Sequence, residues 1–352
     1  MDLTKLWSRG IAEMAPYVPG EQPQGDGWIK INTNENPYGP SLKAMEAMEA
    51  AVRDRLQLYP DPRSLILREA LSRRFNLPVE ATFVGNGSDE VLALAFRAFF
   101  QREGTLLFPD ITYSFYPVFA RFWNIPFHAI PLRPDYSIDP HDYLGSASGV
   151  IFPNPNAPTA SPLSLAAIEE IATAHPDCVV LVDEAYVDFG ATSAVALLER
   201  YQNLLVCQTL SKSWALAGLR VGFLLGNPRL IEALERARDF FNSYTVDRVA
   251  QAGAAAALDD DAWFRTTTAK IIATRERFVE GLEKLGFDTL PSAANFVFSA
   301  HPKLSSQALL EKLREKRILV RAFKGERLAR HARISIGTDL QMDAVLEALA
   351  KL

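Results

Sequence analysis

Two short apolar runs restrict this 352-residue chain more than any other feature of it. Val179-Val180-Leu181-Val182 and Leu204-Leu205-Val206-Cys207 each set four apolar residues in a row. That pattern suits strands covered on both faces, and so a parallel sheet flanked by helices. Sheets of this kind collect ligands outside the carboxyl ends of their strands. The first run ends in Asp183-Glu184-Ala185-Tyr186, and the second leads through Gln208, Thr209 and Ser211 to Lys212. Asp183, Tyr186 and Lys212 are thereby expected to face one crevice. Taken alone, a lysine just past a strand end is also explained by solvation; the carboxylate and the phenol make it more than that.

A carboxylate, a phenol and an amine are what pyridoxal phosphate asks of a protein. The amine condenses with its aldehyde, the carboxylate keeps its pyridine nitrogen protonated, and the phenol hydrogen-bonds its ring oxygen. Asp-Glu-Ala-Tyr, followed by Thr-Leu-Ser-Lys-Ser-Trp-Ala-Leu-Ala-Gly-Leu-Arg-Val-Gly up to Gly222, resembles the fold-type I, class II pyridoxal-phosphate aminotransferases. Among them it is most similar to the histidinol-phosphate aminotransferases, over nearly the whole chain. The resemblance implies an α/β fold: a large domain with a mostly parallel central sheet flanked by helices, plus a smaller α/β domain. It implies amino transfer between L-histidinol phosphate and 2-oxoglutarate, yielding imidazole acetol phosphate and L-glutamate, in L-histidine biosynthesis. Lys212 would carry the cofactor and then serve as base and acid from one position.

Composition agrees with a globular enzyme. Apolar residues make up 48% of the chain and the net charge is −5. No block of lysine or arginine appears, so neither a nucleic-acid nor an anionic-membrane partner is suggested. The only cysteines, Cys178 and Cys207, lie beside the apolar runs and read as core residues in a reducing compartment rather than a disulfide or metal site. The N-terminus lacks a signal-peptide pattern and no apolar run approaches about 18 residues. A cytoplasmic protein is expected.

Further candidates come in chain order. Residues 1–38 are rich in turn signals, and the resemblance makes them an arm over the active site in which Tyr17 and Asn34 line the substrate pocket. Ser41 is expected to cap a helix bearing Met45, Met48, Val52 and Leu56. Tyr59, in Tyr-Pro-Asp-Pro, matches the family tyrosine that reaches the cofactor phosphate of another subunit, which implies a homodimer. Val84-Gly85-Asn86-Gly87-Ser88-Asp89-Glu90 runs from a strand into a helix, where free N–H groups of Ser88 and Asp89 make a phosphate cradle. By resemblance, Tyr113 stacks on the pyridine ring and Thr209, Ser211 and Arg220 hold the phosphate. Tyr116 reads as core.

One loop departs from the family. Where the common pattern is Asn-Asn-Pro-Thr-Gly, this chain has Asn156-Ala157-Pro158-Thr159-Ala160. The asparagine before the proline ordinarily bonds the cofactor ring oxygen, and Ala157 cannot. Asn156, Asn154 or Tyr186 alone are left for that bond, with Asn156 placed in the site. Alanine in place of glycine at Ala160 suggests a turn without positive φ.

Downstream, a helix is expected from Pro228, a long one over 259–285, and then a small α/β unit with strands around 295–298, 318–320 and 333–337. Arg321 and Arg333 flank its last two strands. The family uses arginines there to grip the substrate's anionic groups, a task for a bidentate guanidinium. The expected division is 1–38 arm, 39–250 large cofactor-binding domain and 251–352 small domain. Other chemistries on the same scaffold stay open on sequence alone: an aromatic amino acid aminotransferase, a lyase like threonine-phosphate decarboxylase, or a cofactor-binding module without turnover.

Overall fold

The apolar runs do become strands buried on both faces. The structure, a computed structural model, describes residues 3–7, 11 and 20–352. After β1 (Ile29–Lys30) come α1 (Leu42–Val52), α2 (Leu65–Phe75), β2 (Thr82–Asn86), α3 (Gly87–Ala95), β3 (Leu106–Pro109), α4 (Tyr116–Phe122) and β4 (Phe127–Ile130). The chain continues through β5 (Gly149–Pro153), α5 (Leu165–Ala174), β6 (Val180–Asp183), β7 (Leu204–Thr209) and β8 (Val221–Gly226). The rest comprises α6 (Pro228–Phe241), α7 (Arg248–Leu258), α8 (Asp261–Lys284), β9 (Asp288–Thr289), β10 (Phe296–Ala300), α9 (Ser306–Glu315), β11 (Ile318–Leu319), β12 (His331–Ser335) and α10 (Asp339–Leu349).

The central sheet has the order β2-β8-β7-β6-β5-β3-β4. Its ladders from β7 to β4 are parallel, and β8 runs antiparallel to both of its neighbours. Val180, Val182, Leu204 and Val206 pack on one face, with α2, α5 and α7, while Leu181, Leu205 and Cys207 pack on the other, with α3, α4 and α6. Successive side chains of a strand point to opposite faces, so burying both sides requires an unbroken apolar run. Cys178 and Cys207 are buried and unpaired with each other.

Helix α1 is capped by Ser41 as expected, but it is turned differently from the predicted face. Ala44 and Ala51 are buried and Met48 packs against the core, whereas Met45, Val52 and Leu56 are exposed. The cause is α7, an alanine-rich helix whose Gly253 leaves room for Met48 at close approach. Small residues on both helices select that contact. The expected domain boundary at 250/251 falls inside α7, which packs against α1 and α2.

A second, smaller set of strands pairs β12-β10-β9 antiparallel and β1 with β11 parallel. The segment after β1 stays on this unit, Ile31 N–H donating to Leu319 O and Ile31 O accepting from Ser335 N–H, both at 3.0 Å. Helix α10 begins at Asp339, where Thr338 and Gln341 form a capping box. Helix α8 packs on this unit through Ile271, Phe278 and Leu282. From α8 the buried Arg275 guanidinium donates to Phe189 O at 2.7 Å and to Ala294 O at 2.9 Å, tying the segment after β6 to the entrance of β10. Replacing Arg275 with methionine strands both carbonyls, and a loss of about 2–4 kcal/mol in denaturant unfolding is expected. A loss below about 0.5 kcal/mol would show that water serves them equally well.

Candidate active site

Parallel pairing sets β5, β6 and β7 with their carboxyl ends on one edge, Pro153 opposite Asp183 and Asp183 opposite Cys207. A cavity of about 120 Å³ opens there. Of the expected cofactor-binding residues, Ser88, Asp89, Tyr113, Asp183, Tyr186, Thr209, Ser211, Lys212 and Arg220 line it, together with Ala157. A second cavity of about 210 Å³ shares Tyr113, Ala157, Tyr186 and Lys212 with the first and adds Asn34, Arg321, Phe323 and Arg333. The shared residues form the wall between the two.

At one end of the first cavity, α3 begins immediately after β2, so its first N–H groups face the opening. Gly87, at φ +81, and Gly222 make this possible. A Cβ on Gly222 would collide with the Ser88 amide nitrogen, and one on Gly87 with the Arg220 guanidinium. Arg220, itself left-handed at φ 52, donates to Asp89 Oδ2 at 3.2 Å. Thr209 donates to Ser211 Oγ at 3.0 Å, which brings two hydroxyls to the same corner. Guanidinium, hydroxyls and a helix N-terminus suit a phosphate.

Asp183 closes the other end. It is buried, accepts from the Tyr116 hydroxyl at 2.8 Å and from Ala185 N–H at 3.3 Å, and burial pushes its carboxyl up to about 6 against the pull of those two bonds. The next residue, Glu184, is pushed up to about 7 by burial while it accepts from Ser193, Ala194 N–H and Gln208. Tyr113 donates to Asp89 Oδ1 at 2.5 Å, and burial raises its phenol. Lys212 sits between these ends, its Nζ 3.4 Å from Thr33 O and 5.7 Å from the Tyr186 ring centre.

In the second cavity, Arg333 donates to Asn32 O at 2.9 Å and lies over the rings of Phe296 and Phe323. Arg321 pairs backbone to backbone with Arg333, which sets the two guanidinium groups on adjacent chain segments.

Two expectations, those for Asn156 and Ala160, differ from these placements. Asn156 lines neither cavity: its Nδ2 donates to Ile111 O at 2.9 Å, just after β3, and to Thr159 Oγ1 at 3.0 Å in its own loop. Asn154 is likewise engaged, its Oδ1 accepting from Leu163 N–H at 2.8 Å. Ala160 takes φ +64 despite its Cβ, because its N–H bonds Asn156 O and its carbonyl accepts from Ala293 N–H, so tertiary contacts hold a turn that its residue type disfavours. Tyr59, expected to act at another subunit, is exposed and stacks on Tyr244 at 4.6 Å. Tyr17 lies outside the described residues.

Sequence reasoning missed two contributors. Tyr116, expected as plain core, is the hydroxyl on Asp183; its spacing of three from Tyr113 at a helix start was the available signal. Asn36 donates to Lys212 O at 2.9 Å and to Ser213 O at 3.2 Å, holding the lysine loop from the arm. No local pattern marks that contact.

The sequence model of the aminotransferase class I and II family matches residues 26–349. This chain belongs to that family. It is 54% identical over 347 residues to a histidinol-phosphate aminotransferase of Acetobacter pasteurianus, covering 99% of this chain and 98% of that protein. It is 53% identical to the one of Pseudomonas syringae pv. syringae, covering 99% and 100%. The solved histidinol-phosphate aminotransferase of Sinorhizobium meliloti, in complex with pyridoxal-5'-phosphate, is 26% identical and superimposes with a TM-score of 0.84 over 92% of this chain and 90% of that one. Burial leaves the Asp183 carboxyl above the usual carboxylate range.

Its raised value has a measurable sign. Between about pH 4 and about 6 the folded, cofactor-free protein retains a proton that the unfolded chain releases, so this carboxyl's stabilisation is full at low pH and lost as pH rises through 6. Asp183→Asn is expected to remove that slope, worth at most about 3 kcal/mol. Urea unfolding of both proteins across the window reads it, and parallel pH profiles would contradict the assignment.

Proposed function

We propose that this chain is a pyridoxal-phosphate-dependent aminotransferase that moves an amino group between L-histidinol phosphate and 2-oxoglutarate, giving imidazole acetol phosphate and L-glutamate, in L-histidine biosynthesis. The observation that carries the reading is the joint geometry of the two cavities: one amine, Lys212, stands where a site with a phosphate cradle and a buried carboxylate meets a site with two arginines.

The residues fit the cofactor. The α3 N-terminus at Ser88 and Asp89, with Thr209, Ser211 and Arg220, would hold its phosphate, and the glycines at 87 and 222 leave the space. Tyr113 offers an apolar ring face. Asp183 would pair with the pyridine nitrogen, a cation that would offset the desolvation of its carboxyl. When bound, pyridoxal phosphate supplies an aldehyde that amines condense with and a cationic ring that draws electrons away from the substrate's Cα.

Lys212 Nζ would take the proton from the substrate's Cα and then give it back on the far side of the substrate nitrogen, base and acid in turn. The loop that carries it cannot drift, because Asn36 grips the carbonyls of Lys212 and Ser213. Arg333 and Arg321 would orient the substrate's anionic group, the phosphate of one substrate and a carboxylate of the other. Phe296 and Phe323 keep the Arg333 guanidinium flat and partly dry, which strengthens its grip on an anion.

The reading extends to a cytoplasmic homodimer in which Tyr59 of each subunit reaches the other's cofactor phosphate. Exposed Met45, Val52, Leu56, Leu58 and Ile66 around the α1 to α2 segment support it, since a run of unburied apolar side chains suits a subunit contact. Among the described residues, no helix is long and apolar enough to cross a membrane.

Mixing the cofactor-loaded protein with L-histidinol phosphate and no keto acid is expected to convert the visible cofactor band to that of pyridoxamine phosphate. The Lys212→Ala protein is expected to lose this half-reaction by at least about 10³-fold. A spectrum that responds to L-phenylalanine or L-threonine phosphate and not to L-histidinol phosphate would refute the substrate while keeping the chemistry. Arg333→Lys keeps the charge and loses the fork, so kcat/KM for L-histidinol phosphate is expected to fall about 10- to 100-fold. Full activity in that variant would remove Arg333 from anion binding.

A further inference from the structure

Ala157 presents a methyl group to both cavities, while the asparagines on either side of Pro155 line neither: Asn156 bonds Ile111 O and Thr159, and Asn154 accepts from Leu163 N–H. The hydrogen-bond donor expected from this loop is therefore missing, and Tyr186 stands beside the gap. How the Tyr186 proton is directed then matters, and it is decided from the N-terminal arm.

Asn34 Nδ2 lies 2.9 Å from the Tyr186 hydroxyl oxygen. Which way its amide faces follows from its other partners. The Asn34 backbone N–H donates to Ser335 Oγ at 2.9 Å, so the Ser335 hydroxyl is already an acceptor on that side and is free to donate its own proton to Asn34 Oδ1, also at 2.9 Å. With Oδ1 fixed as acceptor, Nδ2 must be the group that meets Tyr186. The Tyr186 oxygen thus receives a hydrogen bond, and its proton has to point elsewhere. A phenol that accepts from an amide is also polarised into a better donor.

The arrangement is built rather than incidental. Asn34 is buried and left-handed at φ 55, a conformation asparagine tolerates far better than branched residues. Its carbonyl accepts from Asn295 Nδ2 at 3.1 Å, so the backbone cannot relax away. The Tyr186 ring is held edge-on to Phe296 at 5.0 Å.

We propose that Asn34 is a positioning residue that acts through Tyr186: it turns the phenol's proton toward the cofactor's ring oxygen and so takes over the task that Ala157 leaves undone. This rests on the reading of the site as a pyridoxal-phosphate aminotransferase. Ser335 is the next member of the chain, setting the amide of Asn34.

A donor on the ring oxygen favours its anionic form and weakens its hold on the proton it shares with the Lys212 nitrogen, so losing that donor raises the pH midpoint of the cofactor's visible absorbance. The test is that midpoint in the loaded protein, for the unchanged chain, Asn34→Ala, Tyr186→Phe and the double variant. Tyr186→Phe and Asn34→Ala are each expected to raise it by about one unit, and the double variant no further than Tyr186→Phe alone. Charged neighbours, Glu35, Asp89, Asp183, Arg220 and Arg333, are the same in all four, so the shift reads the hydrogen bond. Ser335→Ala, a milder change, is expected to move the midpoint the same way by a smaller amount, and Ala157→Asn in the Asn34→Ala background to bring it back. A midpoint that stays put in Asn34→Ala and Ser335→Ala, even with lowered thermal stability, overturns the proposal, as does full additivity with Tyr186→Phe. If pyridoxal phosphate gives no visible band that depends on Lys212, the cofactor reading itself fails, and the proposal with it; a band present with an unmoved midpoint fails the proposal alone.

Discussion

Burial of both faces of a parallel sheet is the constraint from which the site follows. Once β5, β6 and β7 are covered by helices on either side, their ends cannot slide past one another without moving every apolar side chain into the wrong layer. Their carboxyl ends are then fixed in line, about 4.8 Å apart from strand to strand. Asp183 and the loop carrying Lys212 are therefore neighbours because the sheet is packed, and the chemistry inherits the rigidity of the core.

That rigidity carries an electrostatic cost. A carboxyl at the end of a buried strand loses its water, and Asp183 is held toward its neutral form by that loss. Tyr116 and the Ala185 N–H offset part of it and, more importantly, leave one direction open, into the cavity. At the opposite end, Gly87 and Gly222 admit a helix terminus and the Arg220 guanidinium, which is paired with Asp89.

The arm segment 32–36 joins the two structural units at the place where they share chemistry. Asn32 O takes the Arg333 guanidinium, Thr33 O lies by Lys212, Asn34 meets Tyr186 and Ser335, and Asn36 grips the lysine loop. Four of its residues touch Lys212 and its loop, the phenol and Arg333. Glu35 points the other way, bonded to Lys30 and Thr33, and keeps the segment on β1. Such a strap couples the position of the arginines to that of Lys212 through ordinary hydrogen bonds.

What the sequence determined by itself was local chemistry with a period: apolar runs that have to be buried strands, a capping serine at 41, a proline start at 228, and a glycine-rich turn before a helix. The grouping of Asp183, Tyr186 and Lys212 followed from those runs alone, because strand ends of a parallel sheet share an edge. Only the tertiary structure decided the rest. Which face of α1 is buried depended on the fit of Gly253 against Met48, and the turn at Ala160 depended on a carbonyl more than a hundred residues away from its partner Ala293. The roles of Tyr116, Asn36 and Asn34 are set by hydrogen bonds between segments far apart in the chain, whose geometry no spacing encodes. Periodicity reports burial, which is local to an element; a hydrogen bond between elements exists only once packing has fixed both.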